Sequence, residues 1–129
     1  MTDDIALRRI RNQIILYLKL AASQEEQIAY QAAAPHIHVP NELINQWEDW
    51  VQPDWRNHMI APVFTQEETR AIADFYSAWD SVASITPDPL PGLDVLFGTK
   101  EWQKFAQDAL SSLKVFQIRG SLPDSPTGA

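Results

Sequence analysis

His36 and His38 are the residues whose type and spacing come nearest to a metal site. One residue apart in an extended segment, two imidazoles project to the same side, with Ile37 and Val39 on the other. Imidazole nitrogen binds zinc, copper or nickel, and Glu42, Asp54 or His58 would complete a ligand set. No HExxH motif and no second histidine pair accompanies them, so surface or packing histidines are the plainer reading. Three adjacent acidic pairs, Glu25-Glu26, Glu48-Asp49 and Glu67-Glu68, raise carboxylate chemistry. Hydrolysis by two carboxyl groups requires them to face each other across a cleft. Neighbours on a helix point about 100° apart, so no pair does this alone. The ExxH motif of di-iron bundles is absent. So is the GxSxG serine elbow, and four glycines are few for strained turns or phosphate loops.

The stretch Pro35 to Trp55 concentrates three of the five tryptophans, two of the three histidines and three of the nine prolines. Trp47 and Trp50 fall three apart on one helix face, and Trp55 follows the Pro53 break. Core packing, with the indole N–H reaching an acceptor, is the default for such residues. The sharper reading is a binding face of Glu48, Asp49, Trp50, Asp54 and Trp55, in which an aromatic anchor is ringed by acids.

Charge supports that reading. The chain carries −7 overall, and residues 20–99 hold twelve acids against Arg56 and Arg70. A negative field suits a basic protein partner and opposes nucleic acid. It is also what solubility alone requires. Arg8, Arg9 and Arg11 are too few to argue for phosphate binding and read as a solvated helix face. The absence of cysteine excludes a disulfide scaffold, a thiol nucleophile and thiolate metal ligands, and fits a reducing cytoplasm. The N-terminus lacks the pattern of a signal peptide, and the longest apolar run, Ile14 to Leu18, is far short of a membrane span.

The elements that must position these residues are helical. Leu7, Ile10, Ile14, Tyr17, Ala21 and Ile28 mark a first helix, capped by Asp3 or Asp4 and stopped near Ala34 by Pro35. Ser23 to Glu26 has capping-box spacing and allows a kink or restart. Pro35 to Pro40 should be extended. Asn41 should open a short helix to about Gln52, with Leu43, Ile44, Trp47, Trp50 and Val51 inward. Thr65 to Glu68, a second capping box, should start a helix to about Ile85 that buries Ile72, Phe75, Tyr76, Trp79, Val82 and Ala83 and leaves Glu67 and Glu68 outside. The proline run from Thr86 to Gly92 is a connector, and Leu93 to Phe97 forms one turn. Thr99 should cap a last helix over 100–118 with Trp102, Phe105, Ala109, Leu110, Leu113 and Phe116 inward.

The fold class is therefore all-α: a single compact domain over residues 1–120, with about four main helices, an aromatic-rich core and Pro-rich connectors. Residues 121–129 form a disordered tail. The function expected is a small non-catalytic binding module without cofactor. It would engage a basic protein, for instance as an immunity or inhibitor protein against a basic toxin or nuclease. The alternative is a metal-binding protein or metal-dependent enzyme built on His36 and His38.

Overall fold

The computed structural model describes residues 2–85 and 91–124. They form six α-helices: α1 (Thr2–Ala21), α2 (Gln24–Ala33), α3 (Val39–Trp50), α4 (Gln66–Ile85), α5 (Leu93–Leu96) and α6 (Lys100–Gln117). A 3₁₀ turn, Trp55–Asn57, follows α3. The helix count exceeds the expected four chiefly because the first helix is two. Ser23 takes an extended backbone, φ −125° and ψ 112°, and its hydroxyl accepts the N–H of Glu26. The chain turns there, which resets the helical phase. Gln27 consequently faces inward and Ile28, expected in the stripe, is 53% exposed.

Two other boundaries differ. α1 already runs from Thr2, so Asp3 and Asp4 lie inside its first turn rather than capping it. The segment from Pro35 is a tight turn, not an extended strand, closed by the Ile37 N–H on the Ala34 carbonyl. α3 then begins at Val39, with Pro40 in its first turn. Proline is tolerated there because that turn's N–H groups have no intrahelical partner to lose. The proline run at 86–90 and residues 125–129 lie outside the described residues.

α6 packs chiefly against α4 and α1, and α3 against α1. α4 and α6 are antiparallel: Phe75 meets Phe105, while Ser112 donates to the Ala71 carbonyl nearer α4's start. One run of aromatic rings joins four helices, α1, α3, α4 and α6. Trp47 of α3 meets Tyr17 of α1 at 5.4 Å between centroids and Phe75 of α4 at 4.7 Å. Phase 3.6 explains most of the inward set, including Ile14, Leu18, Leu43, Ile72, Phe105, Ala109 and Phe116. Ala83 and Leu110, expected inside, are exposed.

Polar groups tie this core together. Gln27 is fully buried; its amide donates to the Leu20 and Ala21 carbonyls at the end of α1 and accepts the Trp102 indole N–H at 3.2 Å. Trp79 donates to the Ile44 carbonyl, and Tyr17, its hydroxyl pKa pushed well up by burial, donates to that of Leu43. The Trp47 indole N–H finds no partner among the described residues.

The largest departure from expectation concerns charge. Arg11, expected on a solvated face, is fully buried, and Glu68, expected outside, is 1% exposed. The two lie on their helices' apolar stripes and pair across the core. Glu68 accepts from Arg11 Nε at 3.1 Å and Nη2 at 2.7 Å, and from Arg119 Nε at 3.1 Å and Nη2 at 2.7 Å. It also accepts the Thr65 N–H, while Thr65 Oγ1 accepts the Glu68 N–H, completing the capping box expected there. Arg11 further donates to the Phe116 and Gly120 carbonyls where α6 ends. That end is made by Gly120, whose φ of 71° favours glycine and whose N–H returns to the Phe116 carbonyl.

Residues 121–124, assigned to the tail on sequence grounds, lie along α1. Asn12 donates to the Leu122 carbonyl and the Asp124 carboxylate and accepts the Leu122 N–H; Arg8 and Arg9 donate to the carbonyls of Pro123 and Asp124.

Burial pulls the Glu68 pKa upward, but the two guanidiniums and the Thr65 N–H outweigh it and hold the carboxyl below its ordinary value of 4.5. A lowered folded-state pKa contributes stability that is present above the unfolded value and lost as pH falls through the folded one. Glu68→Ala, which strands two arginines, should cost roughly 3–5 kcal/mol in urea unfolding. The wild-type chain should lose stability below pH 4.5 more steeply than Glu68→Gln, as read by unfolding free energy against pH.

Candidate interaction surface

α3 and the turn after it carry the five residues singled out as a binding face, and the structure divides them. Glu48 and Asp49 are exposed on α3, and neither is ion-paired among the described residues. Trp50 is partly buried and packs on the core. Asp54 is exposed and accepts from His58 Nε2 at 2.9 Å, one helical turn on. That hydrogen bond is the largest influence on Asp54 and holds its carboxyl below the ordinary value. Trp55 is only 6% exposed, so it is not the free-standing aromatic anchor the sequence suggested. Its ring is roofed by the Arg56 guanidinium, 4.6 Å from the centroid. With Met59, Ile60 and Phe64 it lines a shallow cleft of about 340 Å³, and Ile60 there is 56% exposed.

The local sequence explains this division. Trp47 lies on the inward stripe of α3, four residues after Leu43, whereas Glu48 and Asp49 fall on the outward side. Val51 leaves the helical conformation, φ −123° and ψ 92°, and Pro53 prevents its resumption. The chain therefore turns back and inserts Trp55 rather than presenting it.

His36 is exposed and His38 precedes α3, partly buried. Together with Gln31, Pro35 and Ile37 they line an open hollow of about 430 Å³. The Gln31 side chain holds this turn, donating to the Ala34 and Ile37 carbonyls and accepting the Val39 N–H. Among the described residues no group of three or more His, Cys, Asp or Glu side chains is placed to hold a metal ion.

Of the acidic pairs, Glu25-Glu26 and Glu48-Asp49 are wholly at the surface, while Glu67-Glu68 is split between surface and core. A polar groove of about 600 Å³ runs between α4 and α6, lined by Glu67, Arg70, Asp74, Lys104 and Asp108 among others. Lys104 bridges Asp108 at 2.7 Å, so charges of both signs compensate one another there. Its Ser112 hydroxyl is spent on the Ala71 carbonyl, and no histidine lines it.

No helix among the described residues is long and apolar enough to cross a membrane. Compared with protein-family models, curated proteins and solved structures, the chain finds no match.

Sequence reasoning missed the apolar cleft, because its walls come from a connector without periodicity. Phe64 was the available signal: a large apolar residue in a connector, two positions after a proline, is costly unless it is buried. His58→Ala should raise the Asp54 pKa toward its ordinary 3.8 in an NMR titration. Thermal stability should be unchanged, as expected for a solvent-exposed pair.

Proposed function

We propose that the protein is a small non-catalytic binding module that engages a basic protein partner through the outward side of α3 and the following turn. The observation that carries this reading is the exposure of Glu48 and Asp49 without an ion pair among the described residues, with Asp54 nearby in sequence. Most acids of a solvated surface are dispersed or paired with bases. These two are concentrated in a segment, residues 35–55, that contains no Lys or Arg at all. Unpaired rim charges steer a partner of opposite sign and accelerate its association.

The partly buried Trp50, next in sequence to Asp49, and the exposed Ile60, six residues after Asp54, are apolar groups open to such a partner. A polar, charged rim around an apolar centre is the usual anatomy of an interface. Inhibition of a basic toxin or nuclease is one version of this role that acidity and a helical frame fit; adaptor, chaperone and assembly-factor roles fit equally well. The Glu68 carboxylate takes no part, since it is buried and shared by two arginines.

The test is affinity capture from the source cell's lysate at low and at high salt, with the wild-type chain and with Glu48→Lys plus Asp49→Lys. A basic protein should be retained at low salt and released as salt rises. The double charge reversal should keep the helical circular dichroism spectrum and slow association about tenfold or more at low salt. Undiminished capture by the reversed variant would remove this face from the function.

A further inference from the structure

We propose that the notch where the end of α6 meets the start of α1 binds a small apolar monocarboxylate. The notch has a volume of about 200 Å³ and is lined by Arg8, Pro62, Val63, Arg119, Leu122 and Pro123. Two guanidiniums therefore meet four apolar residues in a space suited to a ligand of only a few heavy atoms, below the usual range of about 300–1,000 Å³ for larger ligands.

The charge balance singles this place out. Glu68 supplies one negative charge to both Arg11 and Arg119, which leaves one positive charge in surplus. Arg8 adds a second, because its Nη1 donates to the Pro123 carbonyl at 3.2 Å and no acid pairs with it among the described residues. Asp124, on the adjoining segment, turns its carboxylate to Asn12, while Arg9 donates to its backbone carbonyl. A positive pocket has thus been built into a chain of net charge −7. Arg8 also keeps N–H donors that none of these contacts uses.

Arg119 is held rigidly. Its Nε and Nη2 grip Glu68, and Nη2 and Nη1 also reach the carbonyls of Val63 and Pro62. Its position is therefore fixed before any ligand arrives, and only Arg8 has to adjust. Guanidinium selects carboxylate and phosphate oxygens. The prolines, Val63 and Leu122 choose between these: a phosphate leaves the apolar walls without a partner, whereas a carboxylate on a short branched alkyl group occupies both halves of the notch. This site shares no residue with the acidic surface of α3, so either can fail without the other.

The experiment is an NMR titration of the full chain, labelled on backbone and arginine nitrogens, with isovalerate and, separately, with inorganic phosphate. Isovalerate should give saturable shifts confined to Arg8, Val63, Arg119, Leu122 and their neighbours, and phosphate should bind more weakly. Arg8→Gln should weaken isovalerate binding about tenfold or more while leaving the rest of the spectrum in place, and Arg9→Gln should leave it unchanged. Absence of saturation, equal binding by Arg8→Gln, or tighter binding of phosphate than of isovalerate would overturn the assignment.

Discussion

Glu68 is the charge on which this fold turns. A carboxylate almost removed from water is tolerable only when its lone pairs are filled. Here two guanidiniums and one backbone N–H fill them. Each arginine comes from a different part of the chain, so the requirement of one buried charge fixes where α1, α4 and the end of α6 stand relative to one another. Hydrophobic burial alone would hold these helices together with some freedom to slide. Bidentate pairs do not slide, because they lose both geometry and partners on displacement.

A neutral counterpart sits at the C-terminal end of α1. Gln27 donates to the Leu20 and Ala21 carbonyls ahead of the break at Ser23 and accepts the Trp102 indole N–H. α6 is thus tied to α1 by an ionic cluster at its C-terminal end, reached by Arg11 from the middle of α1, and by an amide near its start. Little of this polar framework reaches the surface, so the exposed acids of α3 belong to a different layer of the protein. Glu48 and Asp49 take part in none of the hydrogen bonds that hold this framework.

The helices were legible because period-3.6 stripes and capping boxes are local signals, and Ser23, Thr65 and Thr99 each cap where their spacing indicated. The buried charges were legible only in part. Arg11 stands between Leu7 and Ile14 at spacings of four and three, and Glu68 leads Ile72 and Phe75 in the same rhythm. A charge inside an apolar stripe should have been read as buried and paired. Residue type was allowed to override position. Trp55 follows the core reading that was the default for the tryptophans, although local sequence does not say that the turn after Val51 folds inward. The notch at Arg8 and Arg119 joins residues more than a hundred positions apart, and no local pattern announces it.

The pairing of early and late residues sets an order on synthesis. Arg11 reaches Glu68 across 57 positions, but its bonds to Phe116 and Gly120 span 105 and 109. A nascent chain that has emerged only through α4 has α1 and Glu68 available and neither Arg119 nor the end of α6. Its aromatic run lacks Trp102 and Phe105, and the acid that α4 must bury has only one of its two guanidiniums. Such a chain has no complete core to settle into. The native arrangement can close only after residue 119 has left the ribosome, so this fold is acquired late and nearly as a whole, and chaperones that shield apolar helices have a long interval in which to act.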